Sequence, residues 1–540
     1  MPIRQKQYPI RFTPRGLADA FDATDTFPGA CLSLVNLCFD QSNPEVLVAR
    51  PGVVELTDFT GFTAPGTISV FITIGSTVYG MISSGLNTGK DQPFAYDHSA
   101  AAFITISGIT NGNSPTTQAL TGTWTPPTMS VIGTRIIVTH PGFPGGATKF
   151  GVLDISVSAT PAWSGTDTAT TALSAVPRAV ANFRNRAYFA VGNFLEYTDV
   201  LDPLTRTNST QVLTVGDTAN ITTLVGLPVQ TTSSGVVAAL IAFKEFQIWQ
   251  VTGDSVTSDL ALNYLSLNVG TAAPRSVVLT PKGIYFINIA GPFFINPLGA
   301  IRPVVYSPEQ EVSDIVAPFQ NCTEFSRACA AYSGSLYRVC LDTTIRGTTA
   351  RRDYWFDELR KRWNGPHTFT YDCAGQHANH FILCSNASTN RLFHSFARTE
   401  SGVVFTDDGA AFTGTLQSSA LPKTGKMTEK QVVESTLELS GGGAVTTYSI
   451  TWQDGEQNTI DTASLTVDPA GGLWGSFVWN DGTLWSSAIN IVKPYTIPWN
   501  KPLVFKKGIL QVAAVATDGL SIGSFFTRYQ DCGYVGGAEV

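Results

Sequence analysis

Charge is scarce in this sequence. Asp, Glu, Lys and Arg make up 14% of its 540 residues, against about a quarter in an ordinary soluble domain, and Thr, Ser, Asn and Gly fill the polar positions instead. So large a surface with so little charge suits contact with other subunits. The net charge of −7, from 34 Lys and Arg against 41 Asp and Glu, excludes a generally basic nucleic-acid binder. Long apolar runs are missing too: the longest, VVAALIAF at 236–243, has about 8 residues where a bilayer span needs about 20, so no membrane-spanning segment is expected. The amino terminus, MPIRQKQYPIRF, carries positive charge with no apolar run behind it, which is not the pattern of a signal peptide. The expectation is a soluble protein made in the cytoplasm. Cysteines number 8, at Cys31, Cys38, Cys322, Cys329, Cys340, Cys373, Cys384 and Cys532, too sparse in so long a chain for a disulfide framework, and buried free thiols are expected. The sequons at Asn208, Asn220, Asn321 and Asn386 carry no meaning without a secretory route.

What the chain has instead is a recurring pair of aromatic-aliphatic strands. TVYGMIS from Thr77 is followed by PFAYD, RIIVTH from Arg135 by KFGVLDI, RAYFAVG from Arg186 by FLEYTD, and ALIAF from Ala239 by FQIWQVTGD. GIYFINI from Gly283 leads to FFINP, LYRVCLD from Leu336 to DYWFDELRKRW, and HFILCS from His380 to RLFHSF. Runs of Ile, Val, Phe and Tyr punctuated by Gly, Pro, Asn and Asp signal antiparallel hairpins. Their recurrence at roughly 40 to 60 residues matches the blade period of a propeller better than one sandwich. The fold class expected is all-β, a β-propeller of about six to eight blades with an additional β-sandwich-like domain at the carboxy terminus.

At 540 residues the chain exceeds one ordinary core, and three regions are expected. Residues 1–65 form a Pro- and turn-rich amino-terminal segment that closes the propeller, 66–410 the repeat region, and 411–540 a β-domain of longer alternating strands. In the last, Trp452, Asp454 and Gly455 recur in form as Trp479, Asp481 and Gly482.

The opening stretch RGLADAFDATDTFPGACLSLVNLCFDQSNPEVLVARPGVVEL, in which a Leu/Asn-rich strand runs into Arg50-Pro51-Gly52, resembles the start of the tail nozzle proteins of short-tailed bacteriophages, which include the packaged-DNA stabilisation proteins. The hairpin series, the DYWFDELRKRWNGPHTF stretch with Trp355 and Trp363, and the close near RYQDCGYVG are similar to that family as well. The resemblance implies a structural virion protein in the tail: a hexameric ring below the adaptor protein, carrying fibre or plug proteins, with the genomic DNA passing through its lumen. It assigns no lumen-lining residue. The Thr/Ser/Pro-rich insertion from Gly108 to Pro127 departs from the family's pattern.

Candidate chemistry is thin by comparison. Cys373, His377, His380 and Cys384 are the one set with the donor types of a zinc site. Their spacing is not that of a finger, and Cys384 lies in the apolar strand HFILCS, where a thiol packs as a small hydrophobe. No metal and no cofactor are therefore expected. For glycoside hydrolysis two carboxyls must face each other, and the acidic clusters are Asp353, Asp357, Glu358, Asp407 and Asp408. Asp357 and Glu358 adjoin Arg360, Lys361 and Arg362 and read as solvated ion pairs, while Asp407-Asp408-Gly409 reads as a hairpin turn. The expectation is not an enzyme, with a carbohydrate-binding or glycan-degrading propeller as the alternative. Two basic groups, Arg4, Lys6, Arg11 and Arg15, and Arg351, Arg352, Arg360, Lys361 and Arg362, read as solvated faces or ion pairs with neighbouring subunits rather than as phosphate contacts.

Overall fold

The computed structural model describes residues 7–18, 29–57, 59, 66–84, 89–118, 124–166, 172–232, 235–253, 260–304, 315–345, 347–385, 391–397, 400, 402–422, 429–441, 445–468, 492–516 and 519–531. They are almost entirely strand. Each sequence hairpin forms the middle of a four-stranded antiparallel sheet, and some of the outermost strands are short and largely unburied, such as Ala102–Ile104 and Val212–Thr214. Two-residue turns with positive φ at both positions, Arg184-Asn185 and Gly334-Ser335, join first and second strands, the turn geometry whose twist matches that of the strands it connects.

Six sheets follow one another along the chain at 68–104, 128–166, 179–214, 221–266, 278–303 and 329–367. The seventh consists of Tyr371–His377, His380–Ser385 and Leu392–Ser395, with Val53–Thr57 from the amino-terminal region added antiparallel as its outermost strand. These are seven blades, and the ring is closed. Six of the seams between neighbours have their own apolar cluster and that between blades 5 and 6 is continuous with the core of the sandwich; one cluster presses Ile382 and Leu392 of blade 7 onto Ile68, Phe71 and Phe94 of blade 1.

The rest is a two-sheet sandwich. In one sheet Ser521–Asp531 lies between Lys430–Ser440 and Gln7–Phe12. In the other, Ala30–Val35, Ala410–Ser418, Gly508–Ala516, Thr446–Asp454 and Thr459–Val467 are neighbours in that order. Trp452, Tyr448, Leu510, Val512 and Phe525 fill the space between, and Gly508 lies so flat on Trp452 that a Cβ would come within 2.2 Å of its ring. Asp454 caps the following turn through the amides of Glu456 and Asn458, while Trp479, Asp481 and Gly482 lie outside the described residues. The first fifty residues, a segment of their own to the eye, thus supply edges and middles to sheets whose other strands come from residues 410–531.

Arg50-Pro51-Gly52 is the joint between the two units. Arg50, 1% exposed, donates to both carboxylate oxygens of Asp407 at 2.9 and 2.5 Å and to Asn36 Oδ1 at 3.0 Å, and stacks on Phe412. Gly52 fits flush on the backbone of Thr406, where a Cβ would lie 2.0 Å from the carbonyl oxygen. Asp408 and Gly409 have positive φ and make the hairpin turn expected of them, with Asp407 committed to Arg50.

Candidate metal centre and its surroundings

Blade 7 divides the four candidate ligands. In its first hairpin Cys373 pairs with Cys384 and His377 with His380. The two pairs are four residues apart, about 13 Å along a strand at the usual rise, so the cysteines and histidines do not converge on one ion. The cysteine pair is buried in the seam with blade 1 and hydrogen-bonded sulfur to sulfur, and burial pushes the Cys384 thiol well above its usual range. Among the described residues all seven cysteines are free thiols, and Cys532 lies outside them.

The histidine end is different. His394, on the third strand, stacks on His380 with ring centroids 3.9 Å apart, and His377 Nδ1 is 3.1 Å from His380 Nε2. Across the seam His98 of blade 1, its amide bonded to the Ser76 carbonyl, stacks on His377 at 5.0 Å and lies 5.6 and 5.8 Å from His380 and His394. Four of the chain's 6 histidines meet here. Glu400 closes the group, with its carboxylate 3.0 Å from His394 Nε2 and 3.9 Å from His380 Nδ1. Burial, with the charge of His394, pushes His380 down to about 4; burial and then His377 lower His98. Although burial works against it, the Ala397 amide and His394 hold the Glu400 carboxyl below its usual range. Imidazoles beside a carboxylate form a donor set suited to a borderline divalent cation. Sequence reasoning found His377 and His380 and missed His98, His394 and Glu400, because His98 is brought in only by ring closure.

Arg11, Arg15 and Lys361 are exposed as expected, but the carboxylates of Asp357 and Glu358 are not. Asp357 is fully buried, accepting from the amides of Leu359 and Arg360 and pairing with the Arg360 guanidinium at 3.1 Å. Glu358, also buried, accepts from Tyr285 and Tyr332 at 3.0 and 2.7 Å and meets Lys282 at 3.2 Å. The turn that carries them packs down on blade 5, which withdraws both from water. Three of the five residues of the second basic group are engaged within the chain. Arg351 bridges Asp342 and Asp372, Arg360 also donates to the Asp40 carbonyl, and Arg362 lies over Phe39 and donates to Pro44. Of the amino-terminal group, Arg11 is 4.0 Å from Glu45, and Arg4 and Lys6 lie outside the described residues.

Near the propeller axis Arg275 ties several blades together. Arg275, just before blade 5, donates to the carbonyls of Asp372 in blade 7 and Arg327 ahead of blade 6, at 2.8 and 3.1 Å, with a longer bond to Ser69 of blade 1. Its guanidinium lies 4.4 Å from the ring centroid of Trp124, which ends the 108–127 insertion. Groups from so many blades meet only at the axis. The insertion itself is stitched to blades 1 and 2, through Thr116 to Lys90 and through the Asn113 carbonyl to the Trp163 indole.

No protein-family model matches the chain, and no curated protein matches it. Solved structures that it resembles include puromycin hydrolase, at 11% identity and TM-score 0.38 over 69% of this chain and 62% of that one. They also include exo-beta-1,3-galactanase from Phanerochaete chrysosporium, at 10% and 0.26 over 89% and 100%, and BBS1N in complex with ARL6DN, at 9% and 0.34 over 65% and 99%. The chain thus spans 61–62% of the length of the puromycin hydrolases it matches. Likenesses at this level carry no argument about function. The fold, read from the chain's own sheets, is a β-propeller with a β-sandwich, and no helix of the described residues is long and apolar enough to cross a membrane.

Proposed function

We propose that this chain is a structural virion protein, the nozzle or distal tube of a short bacteriophage tail, acting as a hexameric ring that retains packaged DNA and conducts it at ejection. The observation that carries the reading is the internal use of its arginines. Arg50, Arg338, Arg351 and Arg360 are all paired with carboxylates of the same chain, which leaves them unavailable as sites that would hold phosphate by counterion release. A wall with few free cations lets duplex DNA slide. In such a ring the channel lies between copies and not along the propeller's own axis. A repeated heterologous interface closes such a ring, and the scarcity of charge lowers the desolvation cost of making it. The adaptor above and fibre or plug proteins below are the partners of this arrangement.

Imaging of the virion tests it. The expected result is six copies around a channel at the distal tail, with gene deletion giving heads that package DNA and fail to keep or deliver it. A peripheral position away from the channel, or a continuous Lys/Arg stripe along the lumen, would overturn it.

One cleft favours the alternative, a glycan-binding or glycan-degrading propeller: Lys282, Tyr285, Phe294, Arg302, Glu358 and Lys361 line it between blades 5 and 6. Glycan release by the wild type that Glu358→Gln abolishes would move the assignment there.

A further inference from the structure

The histidine cluster has a second property beyond its composition. The candidate ligand atoms of His98, His380 and His394 all lie within 4.8 Å of one another, a spread that ring rotations can reduce to the roughly 3.4 Å between ligand atoms that a tetrahedral zinc holds at about 2.0–2.1 Å. Independently, His98 Nε2 is buried with no hydrogen-bond partner. A buried polar atom left unpaired costs about 1–3 kcal/mol, and an ion at the centre of the cluster would satisfy it. Of the other two histidines, His140 is bonded to Asp91 at 2.9 Å, whereas His367, packed against Trp355, also has ring nitrogens without a partner but has no second histidine beside it.

We propose that His98, His380 and His394 bind a borderline divalent transition-metal ion of the zinc class, with Glu400 as the carboxylate beside it, and that this ion clasps blade 7 to blade 1. Three imidazoles disfavour calcium and magnesium, which take oxygen ligands. Glu400, 3.0 Å from His394 Nε2, fixes that ring and brings negative charge to the cation, the supporting role carboxylates play around ligating histidines. His377, bonded to His380 Nε2 at 3.1 Å, orients the middle ligand from the turn. Location gives the ion its purpose. His98 belongs to the first blade and the other two to the last, so the bonds cross the seam at which the chain's ring shuts. Metal bound to the folded state alone stabilises it by mass action.

The experiment is metal analysis of the full-length protein, stripped by chelator, reloaded with zinc chloride and passed over a desalting column. About one zinc per chain should remain, with a melting temperature above that of the stripped protein. His98→Ala and His394→Ala should lose the retained zinc and the melting difference, Glu400→Gln should bind about 10- to 100-fold more weakly, and Cys384→Ser should bind as the parent does. Because an alanine variant can fail to fold, cobalt(II) loading of the parent gives an independent readout: strong visible absorption with no thiolate charge-transfer band is expected. Retention of no zinc by the parent, zinc that survives His98→Ala in folded protein, or a thiolate band in the cobalt spectrum would each overturn the assignment.

Discussion

Between blades 3 and 4 the contact is made by Ala179, Ala181, Tyr188, Leu195, Ile221, Leu240 and Val251, packed side by side. Between blades 6 and 7 the apolar cluster is accompanied by a buried charged pair from blade 6 that reaches into blade 7. Arg338 and Asp353, fully buried, meet at 2.7 Å. Asp353 also accepts from the Trp355 indole and the Tyr371 hydroxyl at 2.6 and 2.9 Å, and Arg338 donates to Ser395 while its guanidinium lies over Trp355. Apolar burial is non-directional and scales with area, so it presses two blades together without dictating their alignment. A buried ion pair gains little net stability against its desolvation, yet it has one good geometry. It stands where alignment is most constrained, beside the strand Val53–Thr57 and the Arg50 joint that tie the propeller to the sandwich.

The largest effect should come from breaking the polar seam. Asp353→Ala leaves Arg338 uncompensated and two further donors unpaired, and should cost about 3–5 kcal/mol in urea unfolding, with Asp353→Asn costing less because an acceptor remains. A loss below about 1 kcal/mol would mean that the pair is not buried as described. Leu195→Ala, in the apolar seam, should cost about 2–4 kcal/mol through lost burial and a residual cavity. The smaller effect sharpens the contrast by pH. Burial, then the charges of Arg50 and Arg338, hold His367 well below its usual range, so the folded protein keeps it neutral where the unfolded chain protonates it. Its contribution is complete above about pH 6.5 and is lost as pH falls from there toward the folded value, at up to about 1.4 kcal/mol per pH unit. Between pH 7.5 and 5.5 the parent should therefore lose more stability than His367→Leu, and hydrogen exchange should rise in blades 6 and 7 before blades 3 and 4. Equal slopes for the two proteins would contradict this.

The expectation for Asp357 and Glu358 failed for a reason visible in this contrast. Two acids followed closely by three bases in DELRKR is the pattern of a solvated turn, and nothing local says that Tyr285, from the preceding blade, will donate to Glu358. The hairpins were legible because β-branched and aromatic runs with Gly, Asn and Asp between them leave the backbone few other ways to bond. The outer strands were not, since Ala102–Ile104 and Val212–Thr214 are held by their neighbours and not by their own composition.

By itself the sequence determined the all-β class, the repeating hairpins and the turn at Asp408-Gly409, because each depends on residues a few positions apart. The tertiary structure alone decided the count of seven blades, the threading of the first fifty residues through the sandwich, the pairing of Arg50 with Asp407 and the meeting of His98 with His380 and His394. Those contacts join residues hundreds of positions apart, and no periodicity encodes them. They exist because the ring closes, with the last blade against the first, and because the two ends of the chain fold together into the sandwich.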